Sequence, residues 1–539
     1  MLKVHKETIE YSDTGLFTSL FTDYINSSSK LNDFYSYRPE IESFVSVIEK
    51  NNFSCNRELL VKILQEQYAM LQIKGGIVTQ NIKSLSNPNT FTVCTGHQLC
   101  LFTGPLYFIY KIITSINLAE QLNKKYPAYN FVPVYWMATE DHDFEEMNHI
   151  NLFGKKIEWK KEAVANAGRE ITGKLDTSTL DVVIAELKTL MGEGTNSSTL
   201  MEIFSNAYLN YKTLGEATRV LVHTLFQDKG LVIIDADDKR LKSQFSKVME
   251  EDIFEHTAFK LVNASTEKLT SLGYKTQVNA REINFFYHTN NVRERIVQEG
   301  ETYKVLNTTI SFTEEKLKNE IKISPEKFTP NVILRPLYQQ KILPNIAYVG
   351  GSAEVSYWLQ YKAMFDGFKV TFPVLIPRNS LMWLDQKSGK QAKDFLFKVK
   401  DLFNEYNKLI NKYLLNNNEM ILSLEKEEIA LKKIFAEIAG KAEKTDRTLK
   451  PFVEGELTRS LNALKNISGK IVKAEKQKQE TTVNQIKKLK EKLFPGGVPH
   501  ERYDNFIPYY MKHGDDFFRI LYEIFDPFEM KFIVVEEVI

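Results

Sequence analysis

Apolar runs alternate with helical periods along most of the chain. Five runs of mostly apolar residues are typical of strands: TFTVCTG (90–96), FVPVYWMATED (131–141), LVIIDAD (231–237), TFPVLIPRNS (371–380) and KFIVVEEV (531–538). After Pro105, apolar residues recur at Leu106, Ile109, Ile113 and Ile116, which predicts a helix with the proline at its first position. Strands that alternate with helices indicate an α/β fold with a mostly parallel sheet. Ligands of such sheets bind outside the carboxyl ends of the strands.

The segment from 385 to 493 has a different pattern. It contains one proline and is rich in Lys, Glu, Asn and Leu. Apolar residues recur every seven positions at Phe395, Leu402 and Leu409, at Val399, Tyr406 and Tyr413, and at Leu457, Leu464 and Ile471. Such heptads indicate long coiled-coil helices. The polar stretch around Pro451 predicts the tip between two antiparallel helices, and FPGGVPHERYDN (494–505) ends the second one.

These two patterns divide the chain into three parts. We expect an α/β core over residues 1–380, an antiparallel coiled coil over 385–493, and a C-terminal segment over 494–539 that returns to the core and adds its last strand to the sheet. An alternative for the coiled coil is a hairpin that packs only on itself and leaves the protein monomeric.

Composition narrows the class of protein. The 539 residues suffice for roughly two to four domains, and Lys plus Arg (70) balances Asp plus Glu (69). This balance argues against binding to nucleic acid or to a membrane surface. The chain has no run of about 18 apolar residues and no signal-peptide pattern at its N-terminus. Three cysteines do not make a disulfide framework and favour a cytoplasmic location.

The stretch CTGHQLCLFTGPLYFIYK (94–111) combines a strand, a glycine turn and a helix start. Because helix N-termini and glycine turns bind anions, the turn from Thr95 to Gln98 and the helix start are candidates for phosphate or carboxylate binding. The candidate residues are Thr95, Gly96, His97, Gln98, Thr103, Gly104 and Lys111. Neither the Walker A nor the GxGxxG spacing is present, and the alternative is a turn with small residues that only packs.

The same stretch contains Cys94, His97 and Cys100, which are residue types that ligate zinc. A fourth ligand at zinc-like spacing is missing, and Cys94 lies in an apolar strand where a free cysteine packs as a small hydrophobe. The CxxC spacing of redox pairs is absent. The sequence therefore predicts no metal site here.

The densest group of titratable residues is ATEDHDFEEMNHI (138–150). Asp141, His142 and Asp143 directly follow a predicted strand, and His149 is close behind. A carboxylate beside a histidine can orient the ring for general-base catalysis, so we take these three residues, together with His97, as catalytic candidates. The group could also bind a metal, or it could be a solvated acidic loop that caps the next helix.

A third cluster lies in VILRPLYQQKILPNIAYVGGSAEVSYWLQYK (332–362). Double glycines allow close approach to a ligand, and an arginine can hold a carboxylate or phosphate with two hydrogen bonds. The binding candidates here and after the neighbouring strands are Arg335, Gly350, Gly351, Glu354, Tyr357, Arg378, Ser380, Arg502 and Asn505. The alternative is a turn followed by an ordinary amphipathic helix. Asp235 could lie near a ribose hydroxyl or a metal, although buried strands often end in such acids.

The three clusters together resemble the cysteine-adding ligases of bacillithiol biosynthesis, and the resemblance extends over most of the chain. It implies a Rossmann-like core with inserted connecting segments, related to class I aminoacyl-tRNA synthetases, and a homodimer formed through the coiled coil. The implied reaction joins the carboxyl of L-cysteine to the amine of glucosaminyl malate, with an adenine nucleotide (ATP or ADP) as cofactor. By this resemblance Gly96 and His97 fall at the glycine–histidine phosphate signature of the synthetases.

This resemblance suggests roles for the candidate residues. Phosphate would lie against the Thr95–Gln98 turn, His142 would take the proton of the sugar amine, and Arg335 or Arg378 would hold the malate carboxylates. Two other functions stay open: a nucleotide-dependent adenylate-forming or nucleotidyl-transferring enzyme with another acceptor, and a non-catalytic coiled-coil scaffold.

Overall fold

The structure is a computed structural model that describes residues 2–51, 53–73, 75–289, 292–422 and 424–538. The strands are β1 (Lys3–Ile9), β2 (Thr90–His97), β3 (Asn130–Met137), β4 (His149–Leu152), β5 (Lys155–Glu158), β6 (Val232–Asp235), β7 (Phe285–Thr289), β8 (Val292–Glu299), β9 (Thr302–Val305), β10 (Ser311–Thr313), β11 (Phe328–Pro330), β12 (Asn345–Gly350), β13 (Val374–Pro377), β14 (Leu381–Leu384) and β15 (Phe532–Val538).

Helices fill most of the chain between the strands. Those before β12 are α1 (Tyr11–Thr14), α2 (Ser19–Ile25), α3 (Ser43–Lys50), α4 (Arg57–Met70), α5 (Gly76–Ser84), α6 (Tyr107–Lys125), α7 (Phe144–Met147), α8 (Leu180–Met191), α9 (Thr195–Leu209), α10 (Leu214–Phe226), α11 (Lys239–Ser243), α12 (Ser246–Glu255), α13 (Thr257–Ser271), α14 (Glu314–Ile323) and α15 (Arg335–Ile342). Those after it are α16 (Ser352–Trp358), α17 (Lys362–Gly367), α18 (Gln386–Asp394), α19 (Tyr406–Leu422), α20 (Glu425–Thr445), α21 (Leu449–Lys478), α22 (Glu480–Leu493), α23 (Ile507–His513) and α24 (Asp515–Ile524).

The centre of the molecule is a parallel sheet with the strand order β13-β12-β2-β3-β6. Each neighbouring pair in it is parallel, which confirms the predicted α/β class. Four of the five predicted apolar runs correspond to one core strand each, namely β2, β3, β6 and β13. Strand β12 was not predicted from the sequence, because its short run lies between Pro344 and a double glycine.

The order of the strands creates a switch point in the sheet. From β2 the chain continues to β3 and β6 on one side, and it later returns to β12 and β13 on the other side. The carboxyl ends of β2 and β12 therefore lie next to each other, and the segments that follow them leave in different directions. This arrangement opens a crevice of the kind that binds ligands in doubly wound sheets.

Long segments are inserted between the core strands. The connection from β3 to β6 carries the β4–β5 hairpin and helices α7 to α10. The connection from β6 to β12 carries a second sheet with the order β10-β9-β8-β7-β11, in which all pairs are antiparallel. These inserts confirm the connecting segments that the resemblance implied.

The last strand joins a different sheet from the one expected. Strand β15 pairs with β1 in antiparallel fashion and with β14 in parallel fashion, forming a separate three-stranded sheet. The apolar residues Phe532 to Val535 are buried there, so the run was correctly identified as a strand, but a hydrophobic pattern does not specify which sheet a strand joins.

The coiled coil is a hairpin of two antiparallel arms, each made of two consecutive helices. Helices α19 and α20 form the first arm, α21 and α22 form the second, and α20 contacts α21 while α19 contacts α22. The tip is at 446–448, and Pro451 lies in the first turn of α21, where a missing N–H costs no hydrogen bond. Leu402 and Leu409, at the base, are buried in the main core. In the described part of the chain, no helix is long and apolar enough to cross a membrane.

Candidate active site

A cleft of about 370 Å³ opens at the switch point between β2 and β12. We call it the switch-point cleft. Its walls come from the ends of both strands, from α6 and α16, and from the segment after the coiled coil. The predicted site residues that line it are Gly96, His97, Gln98, Lys111, Arg335, Gly351, Glu354, Tyr357, Arg378 and Arg502. The structure therefore brings the predicted residues of the first and third sequence clusters to one place, and Ala138 and Glu146 of the second cluster border the same cleft.

A buried ion pair joins the two sides of this cleft. Lys111 Nζ lies 2.6 Å from Glu354 Oε2 and donates to the carbonyl oxygen of Gly96 at 2.7 Å. The Glu354 carboxylate also accepts from the Gly351 N–H (2.8 Å) and the Tyr348 hydroxyl (2.7 Å). Burial alone would raise the pKa of Glu354, but the Lys111 ammonium and these hydrogen bonds lower it. Glu354 is thus an ionised anchor for the end of β2 and the start of α16.

Arg335 has an unused terminal donor in this cleft. Its Nη1 donates to Gln339 Oε1 at 3.0 Å, whereas its Nη2 is buried and has no hydrogen-bond partner among the described residues. The guanidinium lies near the rings of Trp136 and Tyr348, at 6.0 and 5.5 Å from their centroids. A buried donor without a partner is costly, so this group is suited to an anionic ligand.

Arg378 is largely committed to the protein itself. Its two terminal nitrogens donate to both carboxylate oxygens of Glu501, at 3.1 and 2.8 Å, and Nη1 also bonds Ser380 Oγ. Only its Nε, which is buried, lacks a partner in the described chain. Arg378 can therefore offer one hydrogen bond but little net charge, because Glu501 neutralises it.

His97 is neutral in this environment. Burial and the nearby Lys111 ammonium lower its pKa to about 3, so the ring carries no charge at physiological pH. It packs against Tyr107 and Phe108, and its Nε2 lies 3.8 Å from Cys100 Sγ. A neutral ring so enclosed can position the cleft wall or accept a hydrogen bond, but it cannot supply a positive charge to phosphate.

The cysteines of this stretch are ordinary buried thiols. Burial raises the pKa of both Cys94 and Cys100 to about 12, so neither is a thiolate at neutral pH. Among the described residues, no group of three or more His, Cys, Asp or Glu side chains could hold a metal ion.

A second cavity of about 280 Å³, the His142 cavity, adjoins the switch-point cleft. Its polar lining includes Glu140, Asp141, His142, Arg293, Asn331 and Arg335. Trp136, Ala138, Val332 and Arg335 line both spaces. Because Arg335 is shared, an anionic group held by it could be reached from either side.

His142 contacts an arginine that the sequence did not suggest. Arg293 Nη1 lies 2.8 Å from His142 Nδ1, and Asp141 Oδ1 is 3.9 Å from the same ring atom. Burial and the Arg293 guanidinium lower the pKa of His142, while Asp141 and Asp143 oppose the shift. Arg293 lies on β8 in the inserted sheet, far away in sequence, and nothing in the run VRERIVQE singled it out.

The carboxylates next to His142 have structural partners. Asp141 Oδ1 accepts from the backbone N–H of His142 at 2.7 Å, and Asp141 Oδ2 accepts from Gln98 Nε2 at 2.8 Å. Asp143 accepts from the Glu146 N–H at 3.2 Å and caps α7. The contact of Asp143 is therefore the one expected if the acidic loop caps the next helix.

Seven candidates line neither cavity: Thr95, Thr103, Gly104, Asp143, Gly350, Ser380 and Asn505. Thr95 Oγ1 donates to the Val349 carbonyl and so links β2 to β12. Asn505 Nδ2 donates to the carbonyls of Phe102 and Gly104, at 2.8 and 2.6 Å. The Asn505 side chain thus holds the backbone just before the predicted helix start.

The local backbone explains why this turn needs support. Phe102, Thr103 and Gly104 all have positive φ (48°, 72° and 65°), a region that side chains other than glycine rarely adopt. A Cβ on Gly104 would lie 2.6 Å from Cys100 Cβ. Helix α6 begins only at Tyr107, two residues after Pro105, and the Leu106 N–H donates to the Asp504 carbonyl. The segment is a tight connection that positions α6.

Comparison with known proteins covers nearly the whole chain. Residues 4–379 match the family described as "Bacillithiol biosynthesis BshC, N-terminal Rossmann-like domain". Residues 381–537 match "Bacillithiol biosynthesis BshC, C-terminal coiled-coil domain".

Curated relatives agree with this match. A protein of Flavobacterium johnsoniae named "Putative cysteine ligase BshC" is 41% identical over 98% of this chain and 99% of its own length. Proteins with the same name from Christiangramia forsetii (40% identical, 98% of both chains) and Cytophaga hutchinsonii (35%, 97% of both chains) are also similar. A solved structure described as a "putative arginyl t-RNA synthetase" of Campylobacter jejuni aligns at 11% identity over 84% of this chain and 97% of its own, with a TM-score of 0.19, which is too low to support an argument.

The family match extends over both parts of the molecule, and the relatives align from end to end. These are also the parts whose residues form the two cavities. The chain belongs to the BshC family of bacillithiol biosynthesis.

Proposed function

We propose that the protein is a ligase that joins the carboxyl of L-cysteine to the amine of glucosaminyl malate. The observation that carries this proposal is the unpartnered Arg335 Nη2 at the junction of two cavities. A ligase must hold two substrates side by side, and an arginine shared by both spaces can hold an anionic group where they meet.

The switch-point cleft suits the acidic substrate. Arg335 offers Nη2, Arg378 offers Nε, and Arg502 lines the same wall. A malyl group carries two carboxylates, and guanidinium donors match carboxylate oxygens well. The neutral His97 and the internally paired Lys111 leave the arginines as the groups that select a dianion.

The His142 cavity suits the amino acid. Asp141 lines one part of it and can attract an ammonium group, whereas the neighbouring Glu140 is already paired with Lys242. Arg335 lies on the side shared with the cleft, where the cysteine carboxyl would meet the sugar amine. The apolar part of the lining, Phe286 and Pro330, can pack against the side chain of a small thiol amino acid.

The carboxyl must be activated before an amine can attack it. An adenine nucleotide, when bound, would supply the phosphate for that activation. Arg502, on the wall of the cleft, can donate to a phosphate by the same hydrogen bonds that a guanidinium makes to a carboxylate. Gln98 and His97 lie on the same wall at the end of β2, where they define the shape of the binding surface.

Two further properties belong to this proposal. We expect a homodimer through the coiled coil, since Ile429, Ile434, Ile438, Phe452 and Ile467 are exposed along its arms. We expect the reaction to take place in the cytoplasm, because the cysteines are free and the substrate thiol requires reducing conditions.

The proposal is tested by incubating the purified protein with cysteine, glucosaminyl malate and ATP and measuring bacillithiol by mass spectrometry. Arg335→Gln should lower kcat/KM at least about 100-fold, whereas Arg335→Lys should retain part of the activity because it keeps the charge. Arg447→Gln, at the exposed hairpin tip, is the matched control. Product formation with other amines but not with glucosaminyl malate would contradict the acceptor assignment.

A further inference from the structure

We propose that Arg293 fixes His142 as a neutral ring with its proton on Nε2, so that His142 donates a hydrogen bond to the substrate and does not act as a base. Arg293 is then a positioning residue, and His142 is the residue that contacts the reacting groups. The assignment of the substrate rests on the proposed function above, whereas the protonation of the ring does not.

The first step of the argument is the direction of one hydrogen bond. Arg293 Nη1 and His142 Nδ1 are 2.8 Å apart. A guanidinium has five N–H donors and no acceptor, so Nδ1 must accept. A neutral imidazole has one N–H and one acceptor nitrogen. With Nδ1 accepting, the proton is on Nε2.

The second step is that Arg293 is held in place. Its Nε donates to Thr329 Oγ1 at 2.7 Å, and its Nη2 donates to the Pro330 carbonyl at 3.2 Å, both on β11. The guanidinium stacks on the ring of Phe286, 3.8 Å from the centroid. Arg293 is 6% exposed, so it cannot swing into solvent when the ring takes up a proton.

The third step concerns charge. A proton on Nδ1 would place an N–H against the Arg293 N–H and two positive charges in contact. Burial and Arg293 disfavour the charged ring, and the carboxylates that oppose them are Asp141, Asp143 and Glu294. Their combined effect still leaves the pKa of His142 below its ordinary value.

A neutral ring with Nε2–H has a definite use in amide formation. Negative charge develops on the carbonyl oxygen when the amine attacks, and a fixed neutral donor stabilises it without first losing a proton. His142 and Arg335 line the same cavity, so both can donate to the same carboxyl group. As the C–N bond forms, the C–O bond to the activating phosphate breaks and the phosphate leaves, and the proton released by the amine passes to water instead of to His142.

Nitrogen NMR of the full-length protein, with its histidine rings labelled with ¹⁵N, reads the ring directly. We expect the His142 signals, assigned by their loss in His142→Gln, to show a protonated Nε2 and an unprotonated Nδ1 from pH 8 to about pH 6. In Arg293→Met the ring should titrate at higher pH, and in Arg293→Lys it should stay close to the parent protein. A parent ring that carries its proton on Nδ1, or that is charged at pH 6, would overturn the proposal.

Activity gives an independent test. Gln keeps an N–H donor near the position of Nε2 but cannot act as a base. Ionised Glu can act as a base but has no hydrogen-bond donor. We expect His142→Gln to lose about 10-fold in kcat and both His142→Glu and His142→Phe to lose at least about 100-fold. His5→Gln, on the exposed edge of β1, is the control. Greater activity in His142→Glu than in His142→Gln would show that His142 is a base.

If none of these proteins, including the parent, forms bacillithiol while the NMR result holds, the proposed function fails and the protonation state of His142 stands. The two conclusions are therefore separable.

Discussion

Lys111 and Glu354 form the ion pair that ties helix α6 to helix α16. Lys111 is almost completely buried, and Glu354 is about four-fifths buried, with side-chain exposures of 4% and 21%. Removing one partner of such a pair leaves an uncompensated charge in a dry environment, which costs far more than the pair itself contributes.

We therefore expect Lys111→Met to lower the free energy of unfolding by about 3 kcal/mol. The double variant Lys111→Met/Glu354→Gln should recover most of this loss, because no charge is left unpaired. Urea unfolding followed by circular dichroism measures both, and Lys124→Met, exposed near the end of the same helix, is the control. A double variant less stable than the single one would contradict this explanation.

The same pair has a pH dependence of defined sign. The folded-state pKa of Glu354 lies below its ordinary value of 4.5, so its contribution to stability is present above that pH. The contribution is lost as the pH falls through the folded-state pKa. The stability gap between the parent protein and Lys111→Met should accordingly narrow when urea unfolding is repeated below about pH 4.

Single residues also mark the limit of what the sequence could predict. The sequence predicts that Gly96, Arg335 and Glu354 lie together, because each stands in a motif near the end of an apolar run and such ends converge in a parallel sheet; all three line the switch-point cleft. The contact between Arg293 and His142 could not be predicted, since Arg293 is on an inserted strand and meets His142 only through the tertiary fold. The sequence also gives no sign that the Asn505 side-chain amide donates to the backbone of 102–104.

At the scale of elements, strand β15 is fixed at its end by one carboxylate. Glu537 accepts from Trp383 Nε1 (3.0 Å), His513 Nε2 (2.8 Å) and Lys512 Nζ (2.6 Å). Burial alone would raise the pKa of Glu537, but these donors lower it to about 2. The carboxylate joins β15 to β14 and α23.

Glu537→Gln should destabilise the protein at neutral pH, since an amide accepts fewer hydrogen bonds and pairs with no cation. Because the folded-state pKa is lowered, the contribution of Glu537 is complete above about pH 4.5 and disappears as the pH falls toward 2. Thermal unfolding between pH 7 and pH 2.5 should show the two proteins converging. Glu7→Gln, exposed on β1, should not show this convergence.

The elements themselves were predictable to different degrees. The runs that correspond to β2, β3 and β6 are mostly apolar, and nearly every residue of these strands is buried, as expected for parallel strands covered on both faces. Strand β12 was missed because five residues between a proline and two glycines also suit a turn. The sheet that β15 joins could not be predicted, since pairing depends on neighbours and not on the run alone.

At the scale of the whole molecule, the coiled coil has apolar residues buried at its base and others exposed along its arms. Leu402 and Leu409 repeat with heptad spacing but are buried against the core, so substituting them would unfold the base of the hairpin. Ile434 and Ile438 are 52% and 44% exposed on α20, one turn apart on a face that the chain itself leaves open.

In the homodimer that we propose, Ile434→Asp/Ile438→Asp should separate the two copies into monomers without changing the helix content of the chain. Charged residues at an apolar interface cost several kcal/mol when two copies associate. Sedimentation velocity measures the mass, and circular dichroism measures the helix content. Lys433→Asp, exposed on the same helix, is the control. A double variant that stays dimeric would place the interface elsewhere.

Strands β1 and β15 are near opposite ends of the sequence, yet they pair along seven residues. On the ribosome, β1 is synthesised before its partner β15, with a delay on the order of a minute. Arg502, which lines the switch-point cleft, and Asn505, which holds the 102–104 turn, also follow the strands of the parallel sheet. The nascent chain can form that sheet before this wall of the cleft exists.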